Sequence, residues 1–187
     1  MREIEKLDAG LEYNFFNEEV VKRKKKATIL CEEYNSIAPD NFDLMTTKIK
    51  EILGSAGDEV YINQKFICDN GKNIHIGNDF LSNFNLTILD IAPVHIGNHV
   101  MIGPNVLITT VGHPLSPLKR RQHLAQAKPV NIGNDVWIGG NVVILPGITI
   151  GNNVVIGAGA IVTHNVPDNC VFAGVPARKI KDLKNDL

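Results

Sequence analysis

The chain has 187 residues, 44% of them hydrophobic and 21% charged, and its formal net charge is −1. This is enough apolar material for one domain with a sizeable core, and it excludes a disordered chain. Near-neutral charge gives no basis for binding nucleic acid or an anionic membrane surface. Glycine is frequent (16 residues) and aromatics are few (6%), which favours tightly turned β structure over a helical bundle.

The N-terminus, MREIEKLDAGLEYNFF, is charged and amphipathic and does not read as a signal peptide. No apolar run is long enough to span a bilayer. Cys31, Cys68 and Cys170 are odd in number, far apart and without CxxC spacing. They read as reduced thiols of a cytoplasmic protein rather than a disulfide framework or a zinc site. Residues 1–57 form a helical segment: Leu7, Leu11, Val20, Val21, Ile29, Leu30, Ile49, Ile52 and Leu53 recur at roughly helical spacing. Pro39-Asp40 separates one helix ending near Tyr34-Asn35 from another over about Asp43–Leu53, which Gly54 and Gly57 terminate. The run Lys22–Lys26 reads as a solvated helix face.

From about Tyr61 the period changes. One aliphatic series is Ile132, Ile138, Ile144, Ile150, Ile156 and Val162; a second, two residues earlier, is Val130, Val136, Val142, Ile148, Val154, Ala160 and Val166. The phase extends upstream through Val94-His95-Ile96-Gly97 and Val100-Met101-Ile102-Gly103, and more weakly through Ile74, Ile76, Phe80, Leu86 and Ile88. A strict period of six fits neither an α-helix nor a hairpin meander. It fits a triangular parallel β-helix of hexapeptides over residues 58–170, in which each aliphatic residue points inward and the following Gly, Asn or Asp takes the turn. Residues 109–129 carry no such phase and are expected to leave the coil as a long, functional loop. Residues 171–187 read as a C-terminal tail. Trp137, between inward Val136 and Ile138, should point outward.

The motifs are more specific than the repeat. Ala9-Gly10 with Tyr13 and Tyr34-Asn35, CDNGKNIHIG (68–77), NFNLTILD (83–90), GHP (112–114), KPVNIGNDVWIGGNVVILPGITIGNNVVIGAGAIVT (128–163) and AGVPAR (173–178) together resemble the maltose/galactoside/nodulation-type sugar O-acetyltransferases of the hexapeptide superfamily. The resemblance implies a mainly β fold, a left-handed parallel β-helix, assembled as a homotrimer with sites between subunits. It implies acetyl-CoA as co-substrate and a sugar-like hydroxyl as acceptor, with no metal. His113 matches the general base that lets the hydroxyl attack the thioester directly. An imidazole titrates near ~6.5 and is largely neutral at cytosolic pH. Asn83 matches the residue that holds the acceptor hydroxyl, and the backbone N–H of Gly140 matches the oxyanion donor. Ala158, Thr163 and Arg178 match contacts to the CoA arm, to which His164, Lys181 and Trp137 are added as neighbours. On the acceptor side the candidates are Asp90, Asn14 and Lys24.

Departures from the family pattern bear on the acceptor. Where an acid often follows the N-terminal aromatic, this chain has Asn14, Phe15 and Phe16; Lys24 replaces an arginine and Leu81 an aromatic. His164 replaces a lysine on the CoA side. Two other classes compete with an acetyltransferase. One is a γ-carbonic-anhydrase-like metal enzyme built on some of the six histidines, and the other is a non-catalytic hexapeptide scaffold. Antibiotic- and serine-modifying acetyltransferases are related alternatives, against which the N-terminal segment favours the sugar branch.

Overall fold

A computed structural model of the chain describes residues 1–186. Helices α1 (Glu3–Asp8), α2 (Glu18–Asn35) and α3 (Phe42–Ile52) precede a parallel β-helix of about six turns. Asn17 and Asn41 begin α2 and α3, each side-chain oxygen accepting a backbone N–H of the first turn. The strands are two to three residues long in most coils and stack into three parallel sheets, one per face. Ile132 pairs with Ile150 and Val143 with Ile161, so one coil takes eighteen residues, three hexapeptides. Both aliphatic series are buried along their whole length, two inward residues per strand with an outward one between them. No coil covers its own inner face, and the core forms only by stacking.

The turn chemistry differs from the expectation. The glycines that follow the inward residues do not take positive φ. That conformation falls two residues later, at Asp135, Asn141, Asn153 and Gly159. The early glycines serve close approach instead. A Cβ on Gly139 would lie 2.6 Å from the backbone nitrogen of Ala158 on the next coil, too near for any side chain. At one corner asparagines form a ladder: Asn78 N–H donates to Asn98 Oδ1, Asn98 to Asn134, Asn134 to Asn152 and Asn152 to Asp168, at 2.7–2.8 Å.

The C-terminal stretch is not a detached tail. Cys170–Ala173 adds a parallel strand beside Val154–Ile156, and Arg178–Asp182 folds back on it antiparallel. The stretch after Ala173 turns through Gly174 at φ +96 and returns along the same sheet. The inserted loop is also structured. Val111–Gly112 and Leu124–Ala127 form an antiparallel pair with a short helix, α4 (Pro117–Arg121), between them. Tyr13–Asn14 adds a third strand by pairing with Ala125 and Leu124. Leu7, Tyr13 and Val20 bury against Ile91, Ala92, Ala125 and Ala127 in a second, smaller core. The N-terminal segment therefore buttresses the loop.

Candidate active site

His113 follows the Val111–Gly112 strand, at the root of the loop. Its side chain is exposed, and its Nδ1 lies 3.2 Å from the carbonyl oxygen of Leu124. A carbonyl only accepts, so this contact places the proton on Nδ1 and leaves the Nε2 lone pair free to take one. Phe15 packs edge-on against the imidazole, with ring centroids 5.2 Å apart, and donates its backbone N–H to His123 O at 3.0 Å. Phe16 and His123 extend the aromatic cluster, 4.6 Å apart. His113 also borders a depression of about 190 Å³ shared with Glu12, Gln126, Lys128 and Pro146.

Strand register sorts the sequence-expected residues onto two corners of the triangle. On the first, Ser82 aligns with Ile102, Ile138, Ile156 and Phe172, so Asn83, Gly103, Gly139, Gly157 and Ala173 follow one another down successive coils. Asn83, Gly103 and Trp137 line a second depression of about 200 Å³. The Oδ1 of Asn83 accepts from Phe84 N–H at 2.8 Å, and its Nδ2 has no partner among the described residues. Gly140 is tucked against this line, since a Cβ on Gly103 would come within 2.5 Å of its nitrogen. The Gly140 N–H makes no hydrogen bond among the described residues, while its carbonyl accepts from Gly159 N–H. Ala158 is exposed on the next coil, and Arg178, paired in register with Ala173, ends the line. Trp137 points outward and is 53% exposed. Lys181 is exposed on the returning strand.

On the second corner, Leu89 aligns with Thr109, and Ile108 with Ile144 and Val162. Thr163 and His164 therefore lie below the root of the His113 loop, with their side chains hydrogen-bonded to each other at 2.8 Å. One chain thus does not bring His113 together with Asn83 and Gly140: the histidine belongs to one corner and the two unpaired N–H donors to another.

The other three acceptor-side candidates each make contacts within the chain. Asp90 is fully buried and accepts the backbone N–H groups of Asp69 and Asn70 at 3.0 and 2.8 Å, closing the turn before Asn73. Burial, opposed by those hydrogen bonds, raises its pKa to about 7. Asn14 uses its side chain on Phe16 N–H and Gln122 O. Lys24 pairs with Asp69 at 3.0 Å. Asp69 is singled out by no sequence signal, and its second carboxylate oxygen is buried without a partner among the described residues. Only the long-range pairing with α2 marks it, and no local pattern encodes that. The histidines outside the loop are dispersed. His75 and His95 stack on an outer face with ring centroids 4.9 Å apart, and exposed His99 pairs with Asp79 at 2.9 Å.

A parallel hexapeptide coil with a histidine on an inserted loop, and with the Asn83 amide and the Gly140 N–H unpaired among the described residues at a glycine-rich corner, fits the class of hexapeptide acyltransferases. Residues 129–164 match the bacterial transferase hexapeptide (six repeats) model, and residues 6–57 match the maltose acetyltransferase hexapeptide capping motif. The chain is 40% identical to the galactoside O-acetyltransferase of Escherichia coli K12, over 97% of this chain and 89% of that one. A maltose O-acetyltransferase structure from Clostridium difficile 630 superposes with a TM-score of 0.97 at 39% identity, covering 99% of each chain. A galactoside acetyltransferase in complex with coenzyme A gives 0.94 at 40% identity, covering 98% of this chain and 92% of that one. The chain belongs to the maltose/galactoside/nodulation-type O-acetyltransferases of the hexapeptide family, enzymes that use acetyl-CoA as co-substrate. Among the described residues no helix is long and apolar enough to cross a membrane.

Proposed function

We propose that this acetyltransferase transfers the acetyl group of acetyl-CoA to a hydroxyl of a sugar or related small acceptor, with His113 as general base. The observation that carries the reading is the Nδ1 contact to Leu124 O, which leaves Nε2 basic at the rim of the loop. Nε2 takes the proton as the acceptor oxygen attacks the thioester carbonyl. The Asn83 amide holds the acceptor oxygen, and the Gly140 N–H stabilises the oxyanion that develops. Small residues at Gly157, Ala158 and Gly159 let the CoA arm lie close to the backbone, and Arg178 supplies a fixed cation for its phosphates. Expulsion of CoA thiolate, protonated by the His113 imidazolium, completes the transfer.

The two corners meet if chains assemble as a homotrimer, each pairing its His113 corner with a neighbour's Asn83–Ala158 corner. An outer face rich in exposed apolar side chains supports that assembly. Tyr61, Leu81, Met101 and Trp137 align strand by strand and are each 47–53% exposed. The three free thiols suit the reducing cytoplasm.

The test is acetyl-CoA turnover against a panel of hydroxylated acceptors, read as free-thiol release. His113→Ala should lower kcat by roughly 10²–10⁴-fold, leaving the folding transition and CoA affinity near those of the wild type. Turnover within a few-fold of the wild type would remove His113 from the mechanism.

A further inference from the structure

Cys31 and Cys68 lie 37 positions apart in sequence, but their sulfurs are 3.5 Å apart in the folded chain. Both are free thiols and each is only 3% exposed. We propose that this pair is an oxidisable dithiol, a site at which a peroxide or a small disulfide converts two buried thiols into a reversible covalent tie between α2 and the coil. The proposal is independent of the catalytic reading.

The pair is held from both sides. One face of α2 carries Lys24, Ala27, Cys31 and Tyr34, spaced three, four and three residues apart, and it docks on the first coils. Toward the helix N-terminus Lys24 pairs with Asp69, the residue after Cys68. Toward the C-terminus the Tyr34 hydroxyl donates to Ile62 O, and Asn35 both donates to Phe66 O at 2.8 Å and accepts from Phe66 N–H at 3.0 Å. A disulfide needs the sulfurs at about 2.05 Å. The sulfurs must therefore close by roughly 1.5 Å, with the flanking contacts holding α2 against the coil. Cys170 is the internal control. It lies on a late strand, its thiol donates to Pro167 O at 3.0 Å, and no other sulfur partners it among the described residues.

The chemistry balances with one equivalent of peroxide. The Cys31 sulfur attacks a peroxide oxygen, forming a sulfenic acid and releasing water. The Cys68 sulfur then displaces the hydroxyl of that sulfenic acid, and the lost thiol proton leaves with it as a second water. Two thiols are oxidised to one disulfide, and hydrogen peroxide is reduced to two waters. Either sulfur can donate across this contact; with Cys68 as the donor the thiolate is favoured at Cys31, whose pKa is drawn down, while the contact and burial together push Cys68 up. The order of attack follows, since the thiolate is the nucleophile. Burial of both sulfurs makes entry of the oxidant depend on local opening of α2, so the reaction should be slow.

The experiment treats the full-length protein with hydrogen peroxide, or in parallel with glutathione disulfide, then alkylates it with N-ethylmaleimide under denaturing conditions and weighs it. The expected product has lost two hydrogens and carries one alkylated cysteine where the reduced protein carries three. It yields a peptide joining Cys31 to Cys68 and melts at a higher temperature, and dithiothreitol reverses all of this. Cys170→Ser keeps the response; Cys31→Ser and Cys68→Ser abolish it. Three alkylated cysteines after prolonged exposure, a bridge through Cys170, or sulfinic acid at either partner in place of the bridge would overturn the proposal. If either serine variant fails to fold, the wild-type peptide map decides alone.

Discussion

At Asp90, burial works against ionisation. The carboxyl lies below the surface with backbone N–H donors as its polar partners, and its pKa rises from 3.8 to about 7 because desolvation outweighs those bonds. In the unfolded chain it titrates near ~3.9. The folded state therefore holds the proton more tightly, and stability associated with this group is fully present below about pH 4 and is lost as pH rises through 7. At 1.36 kcal/mol per unit the loss is on the order of 4 kcal/mol. Urea unfolding of the wild type across pH 4 to 8 should show a marked decline. The Asp90→Asn amide still accepts N–H donors but cannot ionise, so its decline should be shallower, even if its stability at low pH is lower. Exposed His99, raised by Asp79, declines in the same direction in both proteins and cancels in the comparison. Parallel curves would show that Asp90 is not the titrating group. At His113 the ring is exposed, and one backbone contact fixes its tautomer.

Between coils, the unit of stability is the ladder rung. The Asn134 side chain accepts Asn98 N–H at 2.8 Å, and its own N–H passes the pattern to Asn152. Asn134→Ala removes one rung in the middle of the row. The freed N–H is at an exposed corner where water replaces the lost acceptor, so the expected cost is about 1 kcal/mol in chemical denaturation, with acetyl transfer unchanged. The rungs themselves were not read from the sequence, but the coil that carries them was, because its pattern is local. An inward aliphatic every six residues and a small or amide residue at each turn are set by neighbouring positions, and they marked the coil and the point where the loop departs. The helix breaks near Asn35 and Asn41 were readable for the same reason. What stayed hidden depends on residues distant in sequence. Asp90 looks like any turn aspartate until the chain folds Asp69 and Asn70 over it. Lys24 reads as one of a run of solvated lysines until Asp69 reaches it. Cys31 and Cys68 share no spacing motif, because a helix and a strand bring them together. The glycines were assigned to the turn, because a sequence does not distinguish positive φ from close approach. Asp135 and Asn153 take the turn, and the glycines let the coils stack.

For the whole molecule, the proposed division of the site between two corners has a consequence that a single-chain site lacks. In the proposed closed trimer every interface is the same and has a direction, so the His113 corner of one subunit would always face the Asn83 corner of the next. Mixing His113→Ala chains with Asn83→Ala chains produces some interfaces where both defects fall together and others where neither does. In either kind of mixed trimer, one of the three sites combines an intact His113 with an intact Asn83. At equal proportions three-quarters of trimers are mixed, and recovered activity should approach about one quarter of the wild-type value, from two variants that are each nearly inactive. The measurement is turnover after co-expression or after joint unfolding and reassembly, with each variant alone as its control. Chains mixed without exchange should stay inactive, which separates hybrid assembly from bimolecular rescue. If each chain held a whole site, no proportion of the two variants would recover activity, because every site would carry one of the two lesions. Trp137→Glu, which places a charge on the exposed apolar stripe, should weaken assembly and reduce turnover together, without touching His113.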